Sequence, residues 1–517
     1  MARNRAVSGM DRRKFAFAVA GLLPKTEPRI EGGFVFESDT EGPDAGHRLR
    51  DRARFPAPRR AARVETVIVG GGVAGLCAAR EFLRRGYRDF LVLEMEKQPG
   101  GNARWGENSV SAYPWAAHYL PVPDPGQELT RELCRELGLL EGGEWNERHL
   151  CHEPRERLFL HGRWQEGIEP SVGLTAEDAR QYGRFQQIIG ELRQTGAFRI
   201  PMEEGLGRAT PAIRRLDQLT FQQWLDDHGF SSAYLRWYLD YAGRDDYGTA
   251  LEGISAWAGL HYFAARPPHE LGPLTWPEGN GWIVRRLLER LAPFVRTGVM
   301  ARRIRREGGK WLVTAADTLY EARFVVFAAP TWLASWILDP PPPRWPFEYA
   351  PWVVANLTLR RWPQNRGLDY AWDNVIYGSS SLGYVVATHQ NVKTYQPETV
   401  WTWYMALASG RAADQRRLLL GGDYAWWREA VLSDLERVHP DIRRCVRRLD
   451  IFRIGHAMPR PAPGTIFHEE RLRRARPSGT LVFANSDLSA LSLFEEALYL
   501  GTAAARHVLR LASRAGA

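Results

Sequence analysis

The hydrophobic pattern changes period several times along this chain. Val67-Ile-Val69 is a short β-branched run that stops at Gly70-Gly-Gly72 and reads as a buried strand. Leu76-Cys-Ala-Ala-Arg-Glu-Phe-Leu83 reads as a helix, and Phe90-Leu-Val-Leu93 as a second strand ending on Glu94. A further helix is expected after Gly279-Asn-Gly281, followed by a basic amphipathic segment from Val299 to Arg305. Strand-like runs stand at Lys310–Thr314 and Arg323–Pro330. Near the end, Thr480-Leu-Val-Phe-Ala484 predicts a strand, and a small-residue helix follows Leu493. Strand and helix alternating in this way predict an α/β protein.

The first strand and helix are joined by Gly70-x-Gly72-x-x-Gly75. In such a turn the first glycine permits the bend, the second admits a pyrophosphate, and the third lets helix and strand pack. The N–H groups of Val73 and Ala74 at the helix start would then face phosphate. Glu94 stands at about the 20-residue spacing of a ribose ligand, and its carboxylate would repel a 2′-phosphate, so NAD or FAD fits better than NADP. Adjacent glycines recur at Gly100-Gly101-Asn102-Ala103-Arg104, where backbone could approach the pyrophosphate again.

Composition narrows the class. A chain of 517 residues is too long for one simple core. Its +9 formal charge comes almost wholly from arginine, since Lys14, Lys25, Lys97, Lys310 and Lys393 are the only lysines. No basic run with interleaved aromatics reads as a nucleic-acid stripe. The four cysteines lack metal spacing, and whether Cys134 and Cys151 pair is open. Most of the 20 tryptophans are expected in the core.

Asp11-Arg-Arg-Lys-Phe-Ala-Phe-Ala-Val-Ala-Gly-Leu-Leu23 resembles a bacterial twin-arginine export signal, a route that carries folded, cofactor-loaded proteins. The chain is therefore expected to be exported, periplasmic or membrane-associated, with the twin-arginine machinery as a partner. Its apolar run is shorter than the roughly 20 residues a membrane-spanning helix needs. Residues 26–62, rich in Pro, Gly and charge, read as an extended arm or linker.

Taken together, the glycine turn, Ala328-Ala-Pro330, Phe483-Ala-Asn485-Ser-Asp487 and Glu495-Glu-Ala-Leu-Tyr-Leu-Gly501 resemble the FAD-dependent amine oxidase superfamily, which includes monoamine and polyamine oxidases, phytoene desaturases and protoporphyrinogen oxidases. The resemblance implies a Rossmann-like FAD-binding domain built from residues 63–120, 276–335 and 466–512, with an interleaved α+β substrate domain from 121–275 and 336–465. Residues 1–28 would be the signal and 29–62 the linker. It implies noncovalent FAD held by Gly70, Gly72, Val73, Ala74, Gly75, Glu94, Gly100, Gly101, Asn102 and Arg104. Ala301 would meet adenine, Ser486 and Asp487 the ribityl–pyrophosphate region, and the helix start at Phe494 to Ala497 the flavin pyrimidine.

Departures from the amine oxidases are visible as well. Leu493 stands where many carry an aromatic residue, Trp352–Leu359 holds no lysine, and Asn102 replaces an arginine that Arg104 could stand in for. Four residues are candidates near the flavin. His118 could polarise substrate or bond flavin, or be a satisfied structural histidine. Asp245 and Asp246, read as lying in a loop, could dock a cationic amine, cap a helix or pair with Arg244. His261 follows soon after. The expected reaction moves a hydride from a small organic donor, an amine or polyamine favoured, to FAD, with O₂ or a membrane acceptor taking the electrons. A desaturase of an apolar substrate and a flavin-binding redox partner without turnover are the alternatives.

Overall fold

The structure is a computed structural model that describes residues 29–36, 42–51, 55–266 and 271–514. The export-signal segment lies outside the described residues. Five parallel strands form one sheet, in the spatial order Val295–Arg296, Phe90–Leu93, Thr66–Val69, Phe324–Phe327 and Leu481–Phe483. Three distant stretches of chain thus meet in one layer. Alternate side chains serve its two faces, as a fully covered parallel sheet requires. Ile68, Val326 and Val482 enter a core with Leu76, Phe82 and Leu498. Val67, Val325 and Phe327 enter another beneath Ile304 and Val313 of a five-stranded sheet.

Two helices cover the first of these faces, Val73–Arg84 and Phe494–Ser513. They approach so closely that a Cβ at Gly501 would stand 2.1 Å from the Ala74 carbonyl oxygen. Gly501 is therefore demanded by helix packing.

A seven-stranded mixed sheet forms the other half, in the order Arg163–Glu166, Glu156–Leu160, Asp373–Ile376, Tyr384–Val386, Thr399–Ala406, Tyr349–Leu359 and Val446–Pro459. Strand Tyr349–Leu359 is buried throughout. Trp352 and Val354 face one core with Tyr404 and Phe452. Val353, Ala355, Leu357 and Leu359 face another with Trp401, Trp403 and Trp427. The expected tryptophan core is largely this layer. Helices Ala176–Gln194, Phe221–Asp227, Ala233–Tyr247 and Ala256–Ala264 pack around Phe185, Trp224 and Trp257.

Residues 29–62 are not simply a linker. The stretch 29–36 is extended but docked, its Glu31 and Val35 N–H groups donating to the Arg447 and Ile451 carbonyls at 3.0 and 2.9 Å. Gly42–Arg50 is a helix, and Arg60–Arg63 pairs in parallel with Thr318–Ala322. Composition carries no sign of this docking, because backbone pairing with a sheet edge needs no apolar pattern. All four cysteines are buried and free, so Cys134 and Cys151 are not joined. No helix among the described residues is long and apolar enough to cross a membrane.

Candidate functional site

The glycine turn leaves the C-terminal end of strand Thr66–Val69, and its glycines answer to different constraints. Gly70 has φ +107°, and a Cβ there would stand 2.7 Å from the Ala329 nitrogen. A Cβ on Gly75 would lie 1.9 Å from the Gly70 carbonyl oxygen. The protein's own packing demands both. Gly72 differs. Its φ of −71° suits any residue, and an added Cβ would meet nothing nearer than the Gly101 Cα, 3.9 Å away. Nothing in the polypeptide requires glycine there, so the space suits a group from outside the chain.

The second glycine pair faces this space. Gly100 N–H donates to the Gly71 carbonyl at 2.9 Å, Gly72 and Gly100 form an isolated parallel bridge, and Gly101 has φ +59°. Helix Val73–Arg84 begins at Gly72 with no side-chain cap, so the N–H groups of Val73 and Ala74 have no side-chain acceptor at the cap. Glu94 closes the cradle. Its carboxylate accepts the Gly71 N–H at 2.7 Å and the Glu96 N–H at 2.8 Å, and burial raises its pKa. An anionic pyrophosphate with a ribose beyond it matches this donor set.

Other expected cofactor residues are placed as follows. Asn102 donates to the Ala457 carbonyl at 2.8 Å. The Arg104 Nε donates to the Gly101 carbonyl at 3.2 Å, and its guanidinium lies over Phe36 and Phe452, 4.5 and 4.9 Å from the ring centres. Ala301 is buried in its sheet opposite Ala315. Two residues before it, Val299 N–H donates to the Glu94 carbonyl at 2.8 Å, which brings that stretch to the ribose end. Ser486 and Phe494 are half-buried, and Ala497 is buried. The Asp487 carboxylate accepts from the Thr331 N–H at 2.6 Å and from the Thr331 and Tyr349 hydroxyls at 2.5 Å, so it joins two distant segments of the chain.

A cavity of about 260 Å³ lies between the C-terminal helix and the seven-stranded sheet. Its wall carries Glu156, Asp245, Asp373 and Glu495 together with Tyr119, Tyr241, Tyr262, Arg266 and Trp372. Asp124 also lines it, and burial raises the pKa of Glu156, Asp245, Asp373 and Glu495. For Asp245 the neighbouring Asp246 adds to this, and for Asp373 Glu156 and then Asp245 do so. Among the described residues of this wall the cation is Arg266, paired with Asp246, which also accepts the Tyr119 hydroxyl at 3.3 Å.

Asp245 and Asp246 therefore lie in the last turn of helix Ala233–Tyr247, not in a loop. Arg244 pairs with Asp240 at 2.8 Å and not with either of them. The His118 ring packs at a tilt among Tyr119, Trp372 and Tyr404, with ring centres 5.3, 5.6 and 4.9 Å away. Its Nδ1–H donates to the Ala116 carbonyl at 3.0 Å, which leaves Nε2 as an acceptor. Burial lowers its pKa to about 4, so the ring is neutral near physiological pH. His261 stands apart from this cavity. It is wholly buried, with Nε2 2.8 Å from the Arg199 carbonyl and Nδ1 3.3 Å from the Tyr247 hydroxyl. Its ring stacks on Trp257 at 4.8 Å, and it does not line the cavity. Glu156, Asp373, Glu495 and Arg266 were not picked out as site residues by sequence reasoning. Of these, only Glu495 stood within a motif singled out above.

Residues 73–509 match the family described as flavin containing amine oxidoreductase. The chain is 26% identical over 288 residues to Protein FLOWERING LOCUS D of Arabidopsis thaliana, a match covering 54% of this chain and 32% of that protein. It is 25% identical over 307 residues to an L-amino acid dehydrogenase of Synechocystis sp., covering 54% of this chain and 58% of that one. The chain thus spans about a third of the first relative and less than two thirds of the second. Wild-type putrescine oxidase bound to putrescine has a similar fold, with a TM-score of 0.65 at 17% identity over 87% of this chain and 100% of that one.

Proposed function

The chain belongs to the flavin containing amine oxidoreductases, and from that premise we propose that its substrate is a small amine without an acidic group, bound as a cation. It is an FAD-dependent oxidoreductase of the amine-oxidase type. The observation that carries the substrate reading is the acidic wall of Asp124, Glu156, Asp245, Asp373 and Glu495, whose lining cation among the described residues, Arg266, is paired with Asp246. A cationic ligand relieves the cost of those buried acids, while a carboxylate on the substrate would add to it. That weighs against an α-amino acid, although one relative is an L-amino acid dehydrogenase. It weighs equally against a purely apolar donor.

In this reading the cofactor is noncovalent. Gly70, Gly72, Gly75, Gly100 and Gly101 provide its backbone cradle, Val73 and Ala74 its phosphate donors, and Glu94 its ribose acceptor. When bound, FAD supplies a two-electron oxidant for the carbon beside the amine nitrogen. The cavity residues attract and orient the cation, and Tyr119, Tyr262 and Trp372 pack its carbon chain and exclude water. The amine must lose a proton before oxidation, and the carboxylates are positioned to take it. Dioxygen is the acceptor in this reading. Residues 11–23 remain an export signal on their sequence alone, and a reporter fused behind residues 1–28 that stays in the cytoplasm would remove that part.

The test is anaerobic titration of the purified yellow protein with amines, amino acids and apolar donors. Bleaching by amines, followed by peroxide formation in air, is expected. Bleaching by apolar donors or amino acids alone overturns the proposal.

A further inference from the structure

Residues 29–36 lie along strand Val446–Pro459, the edge of the seven-stranded sheet, as a parallel partner. Besides the two bonds already given, the Leu449 and Ile451 N–H groups donate back to the Glu31 and Gly33 carbonyls at 2.8 and 2.9 Å. The backbone alone therefore holds this arm in register. At its end the conformation changes. Phe36 has φ +59°, a region that a bulky side chain seldom occupies. Such outliers persist where the surroundings over-determine them, and they gather at clamps around ligands. Here the surroundings are aromatic. The Phe36 ring meets Trp115 and Phe452 edge-on, with centres 5.5 and 4.9 Å away.

What the strained ring touches next is the nucleotide cradle. Phe36 and Phe452 both flank the Arg104 guanidinium, at 4.5 and 4.9 Å. Arg104 is buried. Its Nε donates to the Gly101 carbonyl at 3.2 Å, and its Nη1 stands 3.7 Å from Glu96, whose N–H in turn serves Glu94. The guanidinium is thus fixed between the second glycine pair and the ribose acid. Phe452 reaches it from the sheet, but Phe36 reaches it from the N-terminal arm, outside every segment that builds the parallel layer. An arginine side chain is rich in rotamers, and packing that holds it in one of them cuts the cost of ordering it when an anion binds.

We propose that residues 29–36 are a strap of the nucleotide site, and that Phe36 is a positioning residue that holds Arg104 toward the FAD pyrophosphate. Docking of the arm and binding of FAD then strengthen each other by one and the same factor, because coupling between two binding events is reciprocal. An arm that merely stabilised the fold would lower the melting temperature on its loss and leave the affinity of the folded protein for FAD unchanged. The proposal stands apart from the choice of substrate.

The experiment titrates apoprotein with FAD, read by flavin fluorescence, for wild type, Phe36→Ala, Phe36→Tyr, Arg104→Ala and the Phe36→Ala/Arg104→Ala double variant. Phe36→Ala is expected to raise the FAD Kd about tenfold, the scale of a buried cation–π contact. Phe36→Tyr keeps the ring and should return Kd to about the wild-type value. The double variant should bind no more weakly than Arg104→Ala alone, because Phe36 acts through that arginine. An unchanged Kd in Phe36→Ala, or losses that add in the double variant, overturns the proposal. A second measurement needs no variant. Hydrogen exchange of the Glu31 and Val35 N–H groups, both bonded to the sheet edge, should slow about tenfold when FAD is added. Strand Arg163–Glu166, at the opposite edge of the same sheet, should show no such slowing. Equal arm exchange with and without FAD, or equal slowing at both edges, overturns the coupling even if Phe36→Ala fails to fold.

Discussion

The Glu94 carboxylate accepts the Gly71 N–H at 2.7 Å, tying the acid that follows one strand to the glycine turn that follows its neighbour. The contact presets the acceptor before a ribose arrives. Glu94→Ala removes the acceptor and strands a buried N–H, a loss of about 1–3 kcal/mol. Flavin affinity should fall by about tenfold or more, and the apoprotein should melt earlier. Flavin retained through dialysis at the wild-type level would refute this role.

Gly72 and Gly75 make a matched pair of tests. Gly72→Ala is expected to fold with unchanged circular dichroism and near-wild-type melting, because its Cβ meets nothing within 3.4 Å. It should nevertheless purify with little flavin, since that methyl occupies the cofactor's approach. Gly75→Ala should lose stability, because its Cβ would stand 1.9 Å from the Gly70 oxygen. Overpacking of this kind costs about 1–3 kcal/mol. A fully yellow Gly72→Ala protein would show that the nucleotide runs elsewhere.

His261 separates structure from chemistry. His261→Phe deletes its bonds to Arg199 and Tyr247 and should cost about 1–3 kcal/mol of stability. Flavin content and the pH profile of amine oxidation should stay at wild-type values. A displaced pH profile would return His261 to the reaction.

Glu496 predicts a pH dependence of stability. Burial pushes its pKa up to about 8. Met202 N–H donates to its Oε1 at 2.6 Å, and its Oε2 is buried without a partner. The folded-state pKa exceeds the unfolded value of about 4.3, so the folded chain binds more protons between the two. Stability from this group therefore falls as pH rises from about 4 to about 8 and is lowest above that window. Glu496→Gln keeps the Met202 bond and removes the ionisation. It should flatten the melting-versus-pH curve and add on the order of 1–3 kcal/mol at alkaline pH. A variant curve parallel to wild type would contradict the assignment.

Local chemistry explains what could be read directly. Gly70 to Gly75, the helix after them and Glu94 lie within one short βαβ unit, where turn geometry and hydrophobic period are set by near neighbours. Asp245 and Asp246 show where such reading stops. They are adjacent in sequence, but on a helix successive side chains point about 100° apart, since a turn holds about 3.6 residues. One enters the cavity, while the other meets Arg266 and Tyr119. Asp487 sat within a recognisable motif, yet Thr331 and Tyr349, more than 130 positions away, claim its oxygens.

The glycine turn, the parallel α/β layer and the family are legible in the chain's local pattern, because those depend on short-range turn chemistry and periodicity. The acidic cavity wall arises only on packing. Glu156 and Asp373 become neighbours through strand register, and Asp245 and Glu495 join them from two helices. A carboxylate's neighbours across space, and hence its charge and its appetite for a cation, are set by packing between distant segments, which no local pattern encodes.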